Sequence, residues 1–262
     1  MTRAHPPPPY PASKNLLADK TVLVTAAAGT GIGFATARRC LEEGARLFVS
    51  DVHERRLGEA VERLRAINPD GVEAKVCDVT REPDVRALVS AAIAGMGRVD
   101  VLVNNAGLGG SASVVAMTDE QWHQVLDVSL TSVFRMTRAM LPHMYERGSG
   151  VIVNNASVLG WRAQALQAHY AAAKAGVMAF TRCAAIEAAE HGVRINAVAP
   201  SIAMHAFLNR VTSAEVLAEL ERREAFGRAA ETWEVANVIV FLASELSSYM
   251  TGEVVSVSSQ RA

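Results

Sequence analysis

TVLVTAAAGTGIG, at residues 21–33, is the stretch that determines the fold of this chain. Its first five residues, Thr21–Thr25, are β-branched and apolar and predict a buried strand. A helix is predicted from Gly31 to Glu43, with Gly44 as its stop. A strand, a turn of small residues and a helix, in this order, place the free N–H groups of the helix N-terminus beside the carboxyl end of the strand.

The turn between this strand and this helix predicts a phosphate-binding loop. Small side chains let the backbone approach a diphosphate, and the positive end of the helix dipole attracts its charge. The spacing is G-x-G-x-G and departs from the G-x-G-x-x-G dinucleotide fingerprint, so a tight turn without a ligand is the alternative. The predicted cofactor contacts in the turn are Gly29, Thr30, Gly31, Ile32 and Gly33.

The next predicted strand ends in an acidic residue, Asp51. A carboxylate at this point accepts hydrogen bonds from the adenosine ribose and repels a 2′-phosphate, which favours NAD over NADP. The alternative is that Asp51 caps the helix that begins at Glu54. Arg55 and Arg56 follow closely and soften the preference if they face the ribose, whereas a solvated first helical turn is their simpler interpretation.

Outward from this unit, short β-branched runs alternate with helical patterns over the whole chain. The predicted strands are Thr21–Thr25, Leu47–Ser50, Glu73–Cys77, Val101–Val103, Gly150–Asn154, Val193–Val198 and Glu253–Val257. The predicted helices are Gly31–Glu43, Glu54–Ile67, Glu82–Met96, 118–145, Gln167–Glu190, a less regular stretch over 203–226, and Thr232–Ser244. This alternation predicts an α/β fold with a mostly parallel sheet covered on both faces.

Composition limits the classes of function. The chain has 262 residues, which suits a single domain over 20–262. Its 26 basic and 27 acidic residues give a net charge of −1, which argues against a nucleic-acid or membrane-surface partner. No run of about 20 apolar residues predicts a membrane span. Three scattered cysteines predict free thiols in the cytoplasm, with neither a disulfide scaffold nor a metal site.

The first 19 residues differ from the rest, because a polyproline stretch, HPPPPYP, occupies residues 5–11. Proline excludes helix and favours extended chain. We therefore expect a mobile N-terminal tail over 1–19, with a docking arm for another subunit as the alternative.

Tyr170 and Lys174 are four residues apart on the predicted helix 167–190, so they share one face. A phenol ionises only near pH 10, and a fixed ammonium one turn away is expected to lower its pKa. Ser157, just beyond the fifth strand, has a hydroxyl able to reach the same carbonyl as the phenol. An isolated Tyr-x-x-x-Lys is an ordinary helical pair, so the interpretation depends on the motifs that accompany it.

Together these motifs resemble the short-chain dehydrogenase/reductase family over residues 20–258. The residues that carry the resemblance are the turn ending in Gly31-Ile32-Gly33, Asp78-Val79-Thr80, Asn104-Asn105-Ala106-Gly107, Ser157, Tyr170-x-x-x-Lys174, Arg194 to Pro200, Glu234 to Ser244, and Thr251-Gly252. The resemblance implies a doubly wound, Rossmann-like sheet of seven strands in the order 3-2-1-4-5-6-7. It also implies proton transfer by Tyr170, assisted by Ser157 and Lys174. Further cofactor contacts implied by it are Asp78, Val79, Asn105, Ala106, Gly107, Tyr170, Lys174, Pro200 and Ile202.

The sequence departs from the family pattern at four places. The glycine turn is one residue longer than usual, and Ala26 replaces its first glycine. Ser129 stands where the family often has the asparagine of a water chain to the lysine, and is expected to substitute through its hydroxyl unless the relay differs. Pro200-Ser201 replaces Pro-Gly, and residues 257–260 replace Asp-Gly-Gly. The longer turn and this ending resemble a branch associated with actinobacterial steroid breakdown.

The substrate is expected at the carboxyl ends of the strands. The predicted substrate contacts are Leu108, Leu159, Trp161, Met204 and Phe207, beside His205 and Leu208. These mostly large apolar side chains suit a ring or alkyl substrate. A lid over about 203–226 is expected to close over it. Arg162 and Arg210 face an anionic group of the substrate or are simply solvated.

These observations predict an NAD(H)-dependent enzyme that interconverts a secondary alcohol and a ketone on an apolar, cyclic substrate, with a steroid-derived ring or its CoA thioester ranked first. A 3-oxoacyl thioester reductase and a catalytically weak nucleotide-binding protein are the alternatives. By resemblance the chain forms a homotetramer through helices 118–145 and 167–190. The small side chains that permit close helix approach are Ala168, Ala171, Ala172, Ala175 and Ala179, unless these alanines pack against the sheet.

Overall fold

The computed structural model of the chain describes residues 5–204 and 214–259. The strands are β1 (Thr21–Val24), β2 (Arg46–Asp51), β3 (Val72–Val76), β4 (Val101–Asn104), β5 (Gly150–Asn155), β6 (Val193–Pro200), β7 (Ala203–Met204), β8 (Ala230–Glu231) and β9 (Val254–Val257). The α-helices are α1 (Ile32–Glu42), α2 (Glu54–Arg65), α3 (Glu82–Met96), α4 (Asp119–Leu126), α5 (Ser132–Arg147), α6 (Ala168–Ala189), α7 (Ala214–Arg223) and α8 (Thr232–Ala243).

Seven strands form one sheet in the order β3-β2-β1-β4-β5-β6-β9, and every neighbouring pair is parallel. This confirms the predicted doubly wound sheet, in which β9 is the seventh strand. The order reverses between β1 and β4, and a crevice outside the carboxyl ends of the strands is the usual ligand site at such a point. The short strands β7 and β8 pair separately, through Ala203 with Ala230 and Met204 with Glu231.

Two apolar layers hold the sheet, because parallel strands are buried on both faces. One layer packs α1, α2 and α8 against the sheet, and Val24, Leu47 and Ile239 in it are fully buried. The other packs α3, α5 and α6, with Leu102 and Ile152 fully buried. Burying side chains of this size contributes about 1.5–3 kcal/mol each, so the sheet is a rigid platform for the loops at its edge.

The predicted single helix over 118–145 is divided in the structure. Thr118 begins α4 with a capping box, in which its hydroxyl accepts a hydrogen bond from the backbone N–H of Gln121. A wider π-helical turn, Asp127–Thr131, then separates α4 from α5. Turns of this kind are rare and are frequently found at functional sites, and this one carries Ser129.

Residues 10–17, within the N-terminal segment that was expected to be a mobile tail, make specific contacts with the domain. The Tyr10 hydroxyl donates to Glu42 Oε2 (2.6 Å), and its ring meets that of Trp233 edge to face. The backbone N–H groups of Lys14 and Leu16 donate to Glu43 Oε2 (2.9 and 3.1 Å). Leu17 is fully buried in the first apolar layer. Residues 10–17 are therefore part of the folded unit.

Within the described ranges, no helix is both long and apolar enough to cross a membrane.

Candidate active site

The glycine turn lies between β1 and α1. Each of its three glycines occupies a different structural environment. Gly29 has φ +90°, a left-handed conformation that disfavours other residues. A Cβ on Gly33 would lie 2.3 Å from both the Ala26 carbonyl oxygen and Asn105 Nδ2, so only glycine permits this close packing. A Cβ on Gly31 would meet nothing within 4 Å. The space above Gly31 is therefore open toward the crevice.

The N-terminus of α1 fits an anionic group. Gly31 precedes the helix, no side chain caps its N–H groups, and its first turn has no acidic residue. An uncapped helix N-terminus with a positive dipole end and open space beside it is suited to a phosphate. The predicted phosphate loop over Gly29–Gly33 thus has the local structure that a dinucleotide diphosphate needs.

The substitution of Ala26 for the usual glycine leaves the turn in a left-handed conformation, because Ala26 has φ +50°. Asn105 holds it there: its Nδ2 donates to the carbonyl oxygens of Thr25 (3.2 Å) and Ala26 (3.1 Å). The Thr25 hydroxyl in turn accepts from the backbone N–H groups of Asn105 (3.0 Å) and Ala106 (3.3 Å). The Asn105 region and the extended turn are thus tied into one unit at the carboxyl ends of β1 and β4.

Asp51 faces the same turn from the end of β2. Its Oδ2 accepts a hydrogen bond from the backbone N–H of Ala28 (3.2 Å) and its Oδ1 from that of His53 (3.0 Å). Burial raises the pKa of its carboxyl, against the hydrogen bond from Ala28, which lowers it. Arg56 Nη2 lies 4.0 Å from Asp51 Oδ1. The structure therefore brings Asp51 to the phosphate loop, with one arginine at its side.

Asp78 and Val79 follow β3 at the same edge of the sheet. Asp78 Oδ1 accepts from both the backbone N–H (2.9 Å) and the hydroxyl (2.7 Å) of Thr80, which fixes the turn before α3. Val79 is almost fully buried in the second apolar layer. Pro200 ends β6, and Ile202 follows it as a buried residue whose carbonyl oxygen accepts from the Ala230 N–H (2.9 Å).

The proton-transfer group expected from the sequence is assembled by β5 and α6. Ser157 comes directly after β5 and caps a short 3₁₀ turn, Val158–Gly160, where its Oγ accepts from the Leu159 N–H (3.2 Å). Tyr170 and Lys174 lie one turn apart on α6, and the Ser157 hydroxyl lies near the Tyr170 phenol and lowers its pKa. The Lys174 ammonium lies 5.6 Å from the centre of the Tyr170 ring. All three predicted catalytic side chains therefore meet at one place.

The pKa of the Tyr170 phenol differs from the expectation. Burial raises it above 10, and the Ser157 hydroxyl only partly offsets this effect. Lys174 is 2% exposed, and burial lowers its own pKa to about 8. Desolvation is therefore the main cause of the shift in both groups.

Lys174 is held by a residue that the sequence did not single out. Its Nζ donates to the backbone carbonyl oxygen of Asn155 (2.6 Å), and Asn155 Nδ2 donates to Asn105 Oδ1 (3.0 Å). Asn155 therefore links the lysine to the phosphate-loop unit. The available signal was the pair of asparagines that ends β5, Asn154 and Asn155. It stands beside the pair at the end of β4 because Asn104 and Asn154 are in register.

Ser129, which stands where the family often has an asparagine, contacts the backbone of Leu108. Its Oγ donates to the Leu108 carbonyl oxygen (3.0 Å) and accepts from the Leu108 N–H (2.9 Å). A Cβ on Gly107 would lie 3.9 Å from this Oγ and 3.4 Å from Lys174 Nζ, so Ser129 and Lys174 border the same glycine. The hydroxyl donor of Ser129 is already used, which makes it a clamp on the Gly107–Leu108 backbone.

The predicted substrate contacts are only partly brought together. Leu159 and Trp161 line a cleft of ≈ 540 Å³ whose other wall is the outer face of α6, formed by Ala168, Ala171, Ala172 and Ala175. Tyr170 does not belong to the lining of this cleft. Met204 lies in β7, and Phe207, like His205, Leu208 and Arg210, lies outside the described residues. The expected lid is described only at Ala203–Met204 and from residue 214 onward.

In the described part of the chain, no three His, Cys, Asp or Glu side chains gather in a group able to hold a metal ion.

A family model described as enoyl-(acyl carrier protein) reductase matches residues 26–259. The chain belongs to the short-chain dehydrogenase/reductase family. Members of this family bind a nicotinamide cofactor, and the glycine turn, Asp51 and the α1 N-terminus described above fit that group. The family resemblance inferred from the motifs of the sequence is thereby confirmed.

Individual members of the family resemble the chain over nearly its whole length. A relative from Mycobacterium tuberculosis, (5R,7aS)-5-hydroxy-7a-methyl-1-oxo-2,3,5,6,7,7a-hexahydro-1H-indene-carboxyl-CoA reductase, is 65% identical over 250 residues, 95% of each chain. The 3-oxoacyl-(acyl-carrier-protein) reductase FabG of Thermotoga maritima is 38% identical, over 92% of this chain and 97% of its own. A crystal structure of a short-chain dehydrogenase from Mycobacterium smegmatis is 60% identical, with a TM-score of 0.87, covering 97% of this chain and 98% of that one.

Proposed function

We propose that the chain is an NAD(H)-dependent oxidoreductase that interconverts a secondary alcohol and a ketone on an apolar, cyclic substrate carried as a CoA thioester. The observation that carries the chemistry is the proximity of the Ser157 hydroxyl to the Tyr170 phenol, with Lys174 one helical turn away on α6. The substrate class is supported by the 65% identical relative, whose name describes a hydroindene carboxyl-CoA reductase.

A nicotinamide cofactor held at the glycine turn, Asp51 and Lys174 would supply the hydride for reduction of the carbonyl carbon. Tyr170 donates its phenolic proton to the carbonyl oxygen. Burial raises the pKa of the phenol, so the proton is present at neutral pH. Ser157 is placed to hydrogen-bond the same oxygen. Lys174, held by Asn155, positions positive charge behind the phenol and stabilises the tyrosinate that proton donation leaves.

The preference for NAD over NADP rests on Asp51. Its carboxylate accepts a hydrogen bond from the backbone of the glycine turn, so a 2′-phosphate on the adenosine ribose would meet a negative charge. Thr30 adds no positive charge at this position. Titrations with NADH and NADPH test the preference, and Asp51→Ala should narrow the difference between the two dissociation constants. Equal or tighter binding of NADPH by the unmodified chain would contradict it.

A 3-oxoacyl thioester reductase is the second candidate. It is favoured by the 38% identical relative of that name, and it would use the same Ser157–Tyr170–Lys174 group. The two candidates differ in the substrate and share the cofactor site. An enoyl reductase, the description of the family model, is less consistent with the sequence because Tyr170 and Lys174 are separated by only three residues.

A substrate panel distinguishes the candidates. Oxidation of reduced cofactor would be followed with a bicyclic ketone as its CoA thioester, the same ketone as a free acid, a linear 3-oxoacyl thioester and a polyol. We expect the highest kcat/KM with the cyclic thioester. A higher kcat/KM with the linear thioester would support the second candidate, and faster turnover of the polyol would refute an apolar substrate.

A further inference from the structure

An arginine that is not part of the cofactor motifs forms a hydrogen bond with the backbone of the glycine turn. Arg63 lies in the last turn of α2, and its Nη1 donates a hydrogen bond to the Gly29 carbonyl oxygen (3.2 Å). Its guanidinium carbon stacks 3.9 Å above the centre of the Phe34 ring on α1. The hydrogen bond and the stacking together orient a flexible side chain toward the outer edge of the turn.

The charge of Arg63 is not neutralised within the described residues. Arg55, on the same helix, forms an ion pair with Glu59 at 2.6 Å, and Arg56 approaches Asp51 at 4.0 Å. Arg63 contacts no carboxylate in the described ranges, and its identified acceptor is the uncharged Gly29 carbonyl. A guanidinium has five N–H donors, so one hydrogen bond leaves most of them available to an anion.

The position of this charge is defined by the neighbouring residues of the turn. Ala28 donates its backbone N–H to Asp51 Oδ2, and the next residue, Gly29, accepts from Arg63. Helix α1, whose N-terminus has no side-chain cap, begins three residues after Gly29, at Ile32. An anion bound at this N-terminus, or attached to a ribose held by Asp51, therefore lies beside the Arg63 guanidinium.

We propose that Arg63 recognises a phosphate group on the adenosine side of the cofactor, either the diphosphate common to both dinucleotides or the 2′-phosphate of NADP(H). The proposal rests on the nucleotide binding described under Proposed function. It also accounts for the longer turn, whose exposed Gly29 carbonyl gives Arg63 its point of attachment.

The experiment is a titration of the complete chain with NADH and with NADPH at two salt concentrations. The variants are Arg63→Gln, which removes the charge but keeps an N–H donor, and Arg63→Lys, which keeps the charge. Arg55→Gln is the matched control, since it removes one positive charge from the same helix away from the turn. Thermal unfolding of each variant verifies that the fold is retained.

We expect Arg63→Gln to weaken cofactor binding about tenfold at low salt, as one charge-assisted hydrogen bond at a partly exposed site would. Its dissociation constant should also depend less on salt than that of the unmodified chain. Arg63→Lys should recover most of the affinity and the salt dependence, and Arg55→Gln should change neither. An equal loss for both dinucleotides identifies the diphosphate, and a larger loss for NADPH identifies the 2′-phosphate.

The proposal is overturned if Arg63→Gln binds both dinucleotides as tightly as Arg55→Gln. It is also overturned if the Gln and Lys variants are equally weak with unchanged salt dependence, because Arg63 then only supports the turn. If the unmodified chain binds neither dinucleotide, the nucleotide-binding proposal itself is wrong, and this result differs from the two above.

Discussion

Cofactor binding should be coupled to proton uptake by Lys174. Lys174 is 2% exposed, and its ammonium donates a hydrogen bond to the Asn155 carbonyl oxygen. Burial lowers its pKa from 10.5 to about 8. The family resemblance implies that Lys174 holds the ribose next to the nicotinamide, and we expect the ribose hydroxyl groups to accept hydrogen bonds from its ammonium. Binding therefore favours the protonated form and raises the pKa.

The direction and size of the effect follow from this shift. Both the free and the bound chain carry a charged Lys174 below about pH 8, so binding is strongest there. Between about pH 8 and 10.5 binding must take up a proton, and affinity falls as the pH rises. Full recovery of the ordinary pKa corresponds to about 3 kcal/mol, or roughly 300-fold in Kd, and recovery of one pKa unit to about tenfold.

Calorimetric titration with NADH at pH 8, in two buffers of different ionisation enthalpy, measures the proton uptake directly. Since Lys174 is about half protonated at this pH, we expect an uptake of up to about 0.5 proton per site. Lys174→Met should abolish the uptake. Tyr170→Phe should retain it, because the phenol pKa is raised above 10. A pH-independent Kd between pH 7 and 10, or proton release, would refute the reasoning.

Three further predictions concern stability and assembly. Lys174→Met should stabilise the chain by about 1–3 kcal/mol at pH 7. The folded-state pKa of Lys174 lies below its unfolded value, so the charged lysine destabilises the fold below about pH 8. The gain in the free energy of unfolding, measured in urea, should shrink toward pH 10. Ala26→Gly should raise the midpoint of thermal unfolding by relieving φ +50°, a net gain of about 0.5–1 kcal/mol, whereas a loss would show that Ala26 is unstrained. The α6 face around Ala175 should pair with a second copy in a homotetramer. Light scattering should then give a mass of about four times 27.9 kDa for the unmodified chain and a smaller mass for Ala175→Glu. A monomer mass for the unmodified chain would exclude the assembly.

The sequence predicted the elements whose signals are local. The bounds of α3, Glu82–Met96, agree with its apolar periodicity and its terminal Gly97. The sheet order agrees with the order that the family resemblance implied. The π-helical turn at Asp127–Thr131 was missed because it keeps helical dihedral angles and changes only the hydrogen-bond spacing. A residue pattern with the period of a helix cannot reveal it.

Features that depend on distant contacts were also missed. The N-terminal segment is held by Glu42 and Glu43, about 30 residues away, and its proline content predicts only that it is not helical. The sequence also did not show which side chains of α6 are exposed. The structure leaves Ala172, Ala175 and Ala179 exposed, so the alternative in which these alanines pack on the sheet is wrong.

The candidate site was predicted in its residue types and less well in its electrostatics. Tyr170, Ser157 and Lys174 come together because β5 and α6 are fixed by the same core. The expectation of a lowered phenol pKa is wrong. The phenol pKa depends on burial and on the distance to Lys174, and neither can be derived from the spacing of the two residues in the sequence. Arg63 and Asn155 were missed because they act through backbone carbonyl groups, which no motif specifies.

The most direct test of the central claim is hydride transfer by Tyr170→Phe. The variant keeps the ring and removes only the hydroxyl that donates the proton. With the preferred ketone of the substrate panel, turnover should fall by at least 10²–10⁴-fold, while NADH binds with a Kd close to that of the unmodified chain. Turnover within a few-fold of the unmodified chain would contradict the assignment of Tyr170 as the proton-transfer group.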